Sequence, residues 1–231
     1  MTKRLSKILE LVPNGVGVID VGTDHAYLPI ELAKSAYRGK LIASDINAEP
    51  VDKAINNVAS AGFADRIDIR LSDGLNGCMP DEVDTIVIAG MGGDTICGIL
   101  DMAEWCMDER YTLIFQPMTK AEVLRYWLVN NGFSIKSEHR VMENGNIFQI
   151  LTAKFGGLCE LSDAELFTGQ YELRTDTYFD EELNMLICRF EKAIHGMCGV
   201  ERKAALYRLY TAIAAELKCM REKHGKDKRD I

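Results

Sequence analysis

The 231-residue chain reads as an α/β protein: a mostly parallel sheet with helices on both faces, followed by an antiparallel hairpin of two helices. Two patterns predict this. From Val16 to Phe155 short apolar runs alternate with amphipathic stretches, and the runs are continuously apolar, as strands buried on both faces must be. After Gly156-Gly157 the apolar residues recur instead at spacings of three and four, the period of a helical seam.

The elements follow in order. Val16 to Val21 is β-branched and closed by Gly22, and is predicted as the first strand. A helix is expected over Tyr27 to Ala36, a second strand over Lys40 to Asp45, and a helix from Ala48 to Ala61 with Gly62 as its stop. Strands are expected at Ile67 to Leu71, Thr85 to Ala89 and Tyr111 to Phe115, then a helix at Ala121 to Asn130 stopped by Gly132. Ser134 to Val141 and Ile147 to Ala153 form a hairpin, for which Asn144-Gly145 is the turn signal. These elements make residues 1–157 one domain and 158–231 a second. In the second, Ser162 and Glu165 have the spacing of a capping box. Phe179, Leu183, Leu186, Phe190, Ala193 and Met197 line one helix, and Leu206, Tyr210, Ile213, Leu217 and Met220 line the other. Gly196-Met197-Cys198-Gly199 supplies the turn, which makes a short intramolecular coiled coil.

Composition bounds the function. A hydrophobic share of 47% and a charged share of 27% are ordinary for a globular protein. No apolar run is long enough to span a membrane, and the basic N-terminus lacks the apolar stretch of a signal peptide, so a cytoplasmic location is expected. Seven cysteines without a CxxC pair indicate neither zinc nor a disulfide framework, and reduced, buried thiols are expected. A net charge of −8 excludes a uniformly basic nucleic-acid binder. Any phosphate affinity has to come from a local patch.

The chemistry gathers at strand ends. After the first strand come Asp20-Val21-Gly22-Thr23-Asp24-His25-Ala26-Tyr27. Gly22 permits a tight strand-to-helix turn at which backbone N–H groups meet a ligand. The G-x-G-x-x-G of nicotinamide enzymes is absent, and Asp20 and Asp24 would repel a diphosphate. A cationic sulfonium with a free amino group suits this acidic loop better. Asp45 closes the second strand, where a carboxylate can accept both hydroxyls of a ribose, or can simply cap the following turn. Asp73-Gly74 follows the third, placed to meet an adenine amino group. Asp20, Asp45 and Asp73 thus stand in sequence at the carboxyl ends of consecutive strands, where open α/β sheets bind ligands. The fourth strand runs into Ala89-Gly90-Met91-Gly92-Gly93-Asp94, whose glycines admit close approach by methyl donor and acceptor. The Asn/Asp-Pro-Pro-aromatic tetrad of exocyclic-amine methylation is missing there. His25 and Tyr27 flank the first turn as candidates for substrate contact, while His139, His195, Trp105 and Trp127 read as structural.

Asp20 to Pro29, Ser44-Asp45-Ile46-Asn47, Ser72-Asp73-Gly74-Leu75, Gly90-Met91-Gly92-Gly93 and Gln116-Pro117 together closely resemble the bacterial tRNA (adenine-22-N1)-methyltransferases. Thr23 stands where that pattern has Ser. The resemblance extends to the helical hairpin. It implies a Rossmann-like class I methyltransferase fold, S-adenosylmethionine as donor and N1 of adenine 22 in tRNA as acceptor. It further implies that Asp20, Gly22, Thr23, Asp45, Ile46, Asp73, Gly74, Leu75, Ala89 and Gly90 hold the cofactor. Asp24, His25, Tyr27 and Gly92 then meet the target base, with Asp24 and His25 both candidates for the N6 proton and Tyr27 the stacking platform. Lys3, Arg4 and Lys7 on an N-terminal helix, and Arg202, Lys203 and Arg208 on the second hairpin helix, are the expected RNA contacts.

Two other readings stay open at this level. A methyltransferase of a small molecule or a protein would bind the donor and leave RNA unmethylated. A non-catalytic module that senses the cofactor or recruits partners would transfer no methyl group at all.

Overall fold

The computed structural model describes residues 1–157, 159–170, 178–199 and 201–227, the side chains of residues 202 and 225–227 apart. The chain divides into two compact units, Met1–Glu160 and Leu161–Ile231. The division falls three residues after the one the sequence suggests.

The first unit opens with α1 (Lys3–Leu11), capped where the Thr2 hydroxyl accepts from the Leu5 amide. Then follow β1 (Gly17–Val21), α2 (Tyr27–Lys34), β2 (Lys40–Asp45), α3 (Ala48–Ser60), β3 (Ile67–Leu71), β4 (Thr85–Gly92), α4 (Gly93–Asp101), β5 (Thr112–Thr119), α5 (Ala121–Asn130), β6 (Phe133–Glu143) and β7 (Asn146–Phe155). The seven strands lie in the order β3-β2-β1-β4-β5-β7-β6. β1 to β5 pair in parallel, and β7 runs antiparallel between β5 and β6. Val18, Ile19, Leu41, Ile42, Ile86, Val87, Ile88 and Phe115 are all buried, which is why their segments read as unbroken apolar runs. At the Asn144-Gly145 turn both residues have positive φ, 50° and 78°, as the shortest hairpin loops require.

The topology fixes the site. From β1 the sheet grows one way through β2 and β3 and the other way through β4 and β5. The connections leaving β1 and β4 therefore diverge, and they open a crevice at the carboxyl ends of these two neighbours. β4 runs to Gly92, three residues beyond the expected end, with register slips against β5 between Ala89 and Met91 and between Met91 and Gly92. Such slips re-aim backbone at strand ends. Beyond the crevice the sheet is tied to α5 by an ion pair the sequence does not advertise. Arg125 Nε donates to Glu138 Oε1 at 2.7 Å, the two side chains being 1% and 2% exposed. Arg125 also donates to Gln149 Oε1, and only such full pairing makes a buried charge tolerable.

The second unit contains α6 (Asp163–Thr168), α7 (Phe179–Met197) and α8 (Ala204–Asp227). The Ser162–Glu165 capping box forms as the sequence indicates, with each side chain accepting from the other's amide at 3.1 Å. Lys218 meets Glu191, Arg221 meets Asn184 and His224 meets Asp180, so the two long helices run antiparallel. Phe179, Leu183, Phe190, Ile213 and Leu217 fill the seam as expected, joined by Ile187 and Ala214. Two features differ from what the sequence predicts. Leu206 is exposed, because the seam closes only from Tyr210 onward. Cys188, Cys198 and Cys219 are exposed free thiols, Cys188 and Cys219 on α7 and α8 outside their seam and Cys198 at the cap that ends α7; Cys78, Cys97 and Cys106 are buried. No helix among the described residues is long and apolar enough to cross a membrane.

Candidate active site

The turn after β1 forms the floor of the crevice. Gly22 has φ +77°, a left-handed conformation that favours glycine, and the Met91 methyl group lies over it. The amides of Gly22 and Thr23 both donate to the Ser44 carbonyl, at 2.8 and 2.9 Å, which ties the turn to the end of β2. The buried Thr23 hydroxyl accepts from the Ala26 amide at 3.1 Å. Asp20 is buried just before the turn. Burial raises its carboxyl to about 6, against a hydrogen bond from Thr23 that lowers it, and the Asp45 charge adds to the rise.

Asp45 and Asp73 end the next two strands. Asp45 Oδ1 accepts from the Asn47 amide at 2.8 Å and from the Asn47 side chain at 3.3 Å, which leaves Oδ2 open to a ligand. Ile46 beside it is 58% exposed, an apolar side chain open to solvent. Asp73 is exposed at the turn after β3, Gly74 packs on Ile99, and Leu75 is buried beneath. The three acidic strand ends thus lie on one edge of three adjacent strands.

The opposite wall comes from β4 and β5. Above Gly90 the space is open, and an added Cβ would meet nothing within 4 Å. Ala89 pairs with Gln116, Met91 with Pro117 and Gly92 with Thr119. Gly93 is the sterically strict glycine of this run. A Cβ there would run into the Lys120 carbonyl, whereas one at Gly92 would lie 3.3 Å from the Thr119 hydroxyl. Lys120 also pairs with Asp94 at the start of α4, which fastens the two loops together.

Asp24, His25 and Tyr27 form one group on the crevice rim. His25 Nε2 lies 3.3 Å from Asp24 Oδ2, and the rings of His25 and Tyr27 stack at 5.1 Å between centroids. Tyr27 is 57% exposed, which rules out a core role for its ring.

The expected RNA contacts divide into engaged and open cations. Arg4 is half-buried, paired with Glu143 at 3.0 Å, bonded to Gln116 and stacked over Phe148. It braces α1 against β5 and the hairpin. Lys7 pairs with Glu10, while Lys3 is exposed. Lys203 and Arg208 are exposed and have no ion pair among the described residues, whereas Lys218 and Arg221, further along α8, are engaged by α7. The side chain of Arg202 lies outside the described residues.

A family model described as a methyltransferase domain matches residues 1–151. The chain is 34% identical over 156 residues to the tRNA (adenine(22)-N(1))-methyltransferase of Bacillus subtilis, an alignment that spans 68% of this chain and 66% of that protein. Among solved structures it is similar to a putative tRNA (m1A22) methyltransferase from Streptococcus pneumoniae, with a TM-score of 0.84, 30% identity and coverage of 96% of this chain and 99% of that one. The chain belongs to the tRNA (adenine-22-N1)-methyltransferase family. The S. pneumoniae member has also been solved in complex with S-adenosyl-L-methionine, a structure matching this one with a TM-score of 0.83 and 29% identity over 96% of this chain and 99% of that one.

The residues at the family's cofactor position fit that molecule. The space above Gly90 is open, Asp20 offers a buried carboxyl to a cationic amine, and Asp45 keeps one oxygen for a ribose hydroxyl. Sequence reasoning missed Asn57, which bonds to His25, and it missed the Asp94–Lys120 pair. Both partners come from elements far apart in the chain, and no local spacing signals such a contact.

Proposed function

We propose that the chain transfers a methyl group from S-adenosylmethionine to N1 of adenine 22 in tRNA. The observation that carries this reading is the file of carboxylates Asp20, Asp45 and Asp73 at the ends of three adjacent strands, beside the end of β4, where the space above Gly90 is open. Asp20, Gly22 and Thr23 would hold the donor's amino-acid part, Asp45 its ribose, and Ile46, Asp73, Gly74 and Leu75 its adenine, with Ala89 and Gly90 beneath. When bound, the donor supplies an electrophilic methyl on a sulfonium sulfur.

Ring N1 of adenine carries its own lone pair, so no base need act before attack. What the protein has to supply is alignment and exclusion of water. The exposed ring of Tyr27 gives an unstacked base a surface, His25 backs that ring, and Asp24 puts a carboxylate beside it. Gly92 lets the base come close to the strand end. The role of tRNA as substrate accords with a cytoplasmic location. Lys3, Lys203 and Arg208 are the cations open to phosphate, with Arg202 beside them in sequence, and the second unit serves as an RNA-binding appendage. Incubation with labelled methyl donor and tRNA lacking the modification, followed by mapping of the methylated nucleotide, tests the whole reading.

A further inference from the structure

We propose that Asn57 is a positioning residue for the target base: it fixes His25 as the Nε2–H tautomer, so that Asp24, and not the imidazole, receives the charge that develops on the methylated adenine. The proposal rests on the reading of the site as an adenine-N1 methyltransferase. It settles which of two neighbouring groups faces the N6 amine.

Asn57 Nδ2 lies 3.2 Å from both His25 Nδ1 and the His25 carbonyl oxygen. Taken alone, a side-chain amide can be turned either way. Here the carbonyl oxygen can only accept, so the amide group facing it is the NH2, and its two hydrogens serve both contacts. An NH2 group offers no lone pair, so the ring nitrogen opposite must be the acceptor. His25 Nδ1 therefore carries no proton, and the ring proton is on Nε2, where it faces Asp24 Oδ2 at 3.3 Å. Asn57 sits on α3, a separate element from the β1–α2 turn that carries His25. The turn is held from within by Thr23, through Ala26, and from outside by Asn57. The same contact keeps the imidazole stacked on Tyr27, with an angle of 28° between the rings.

The chemistry follows. As the N1 lone pair forms its bond to the methyl carbon, the methyl–sulfur bond breaks and its electrons stay with sulfur. The adenine becomes a cation, with its charge shared onto the N6 amine. An imidazole whose Nδ1 lone pair is engaged and whose Nε2 already bears a proton has no basic site to offer N6–H. Asp24 has: its side chain is 68% exposed, and Oδ1 takes no bond among the described residues. That carboxylate accepts from N6–H, takes the proton if it leaves, and passes it to solvent.

Nitrogen-15 NMR of the full chain, labelled at its four histidines, tests this directly, with His25 assigned from a His25→Gln variant. The wild-type His25 signals should show a proton on Nε2 and a lone pair on Nδ1. Asn57→Ala should mix the tautomers and lower kcat about tenfold or more, with donor affinity and the KM for tRNA within about twofold. Asn57→Asp, nearly isosteric, should place a proton on Nδ1 and lose at least as much kcat. A wild-type spectrum with the proton on Nδ1 would overturn the proposal even if both variants failed to fold. So would an Asn57→Ala enzyme with unchanged tautomer and unchanged kcat. Absence of tRNA methylation by the wild type would instead count against the proposed function, while the spectrum would still decide the tautomer.

Discussion

The charge on Asp45 reaches Asp20 across the neighbouring strand and adds to the burial that holds the Asp20 carboxyl near 6. A buried acid displaced from 3.8 to about 6 makes the folded state bind a proton more tightly than the unfolded chain. Its contribution to stability is complete below about pH 4, and it is lost as pH rises through about 6. Some two pKa units correspond to about 3 kcal/mol by pH 7. Asp20→Asn should remove that pH dependence and leave the protein about 1–3 kcal/mol more stable at pH 7, as urea unfolding at several pH values can measure. The wild type should bind donor more tightly as pH rises through 6, because the ionised acid attracts its cationic amine. The variant should bind weakly at every pH. A wild-type donor affinity flat from pH 5 to 8 would remove Asp20 from the site.

Asp45→Ala separates binding from folding. The carboxylate holds the Asn47 amide, so its removal should destabilise the chain by about 1 kcal/mol. The loss of donor affinity should be larger, about a hundredfold, because the ribose hydroxyls lose a charged acceptor. Calorimetric titration with an unchanged affinity would assign Asp45 to the turn alone.

Two adjacent glycines should behave differently. Gly93→Ala places a methyl group against the Lys120 carbonyl and should lower stability by about 2 kcal/mol or more. Gly92→Ala meets the side-chain hydroxyls of Thr119 and Thr95, at 3.3 and 4.0 Å, and should fold normally. Gly92→Val should fold and bind donor yet lose methyl transfer, since the branched side chain fills the approach of the base. Full activity in Gly92→Val would confine that glycine to the turn between strand and helix.

Much of this was legible in the sequence. Continuous β-branched runs declared the parallel strands, the Asn144-Gly145 pair declared the hairpin, and the carboxylates at successive strand ends declared the crevice, because each signal is local. What was not legible depends on contacts across the chain. Arg4 reads from the sequence as an RNA contact, but Glu143 and Gln116 claim it. Gly92 drew attention as the middle of a glycine run, yet the steric demand falls on Gly93, through a carbonyl that β5 delivers. Asn57 gave no signal, since its partner is 32 residues away. On α8 the heptad pattern ran past the real end of the seam at Leu206, because periodicity records which face is apolar and not whether a partner covers it.

A chain ending at Glu160 should keep the sheet and bind donor with little change, since the strands and all three acidic strand ends precede that point. It should methylate tRNA poorly. The affinity of the full chain for tRNA should fall steeply with salt, and the shortened chain should show a flatter slope for want of Lys203 and Arg208. Equal affinities and equal slopes would mean that the second unit binds no RNA.

The measurement closest to the central claim is methyl transfer to defined tRNA. Wild-type protein, labelled donor and an unmodified tRNA transcript should yield label at position 22, on N1 of adenine, and a transcript with guanine at that position should accept none. Label placed elsewhere, equal labelling of both transcripts, or donor binding with no transfer to tRNA would contradict the account.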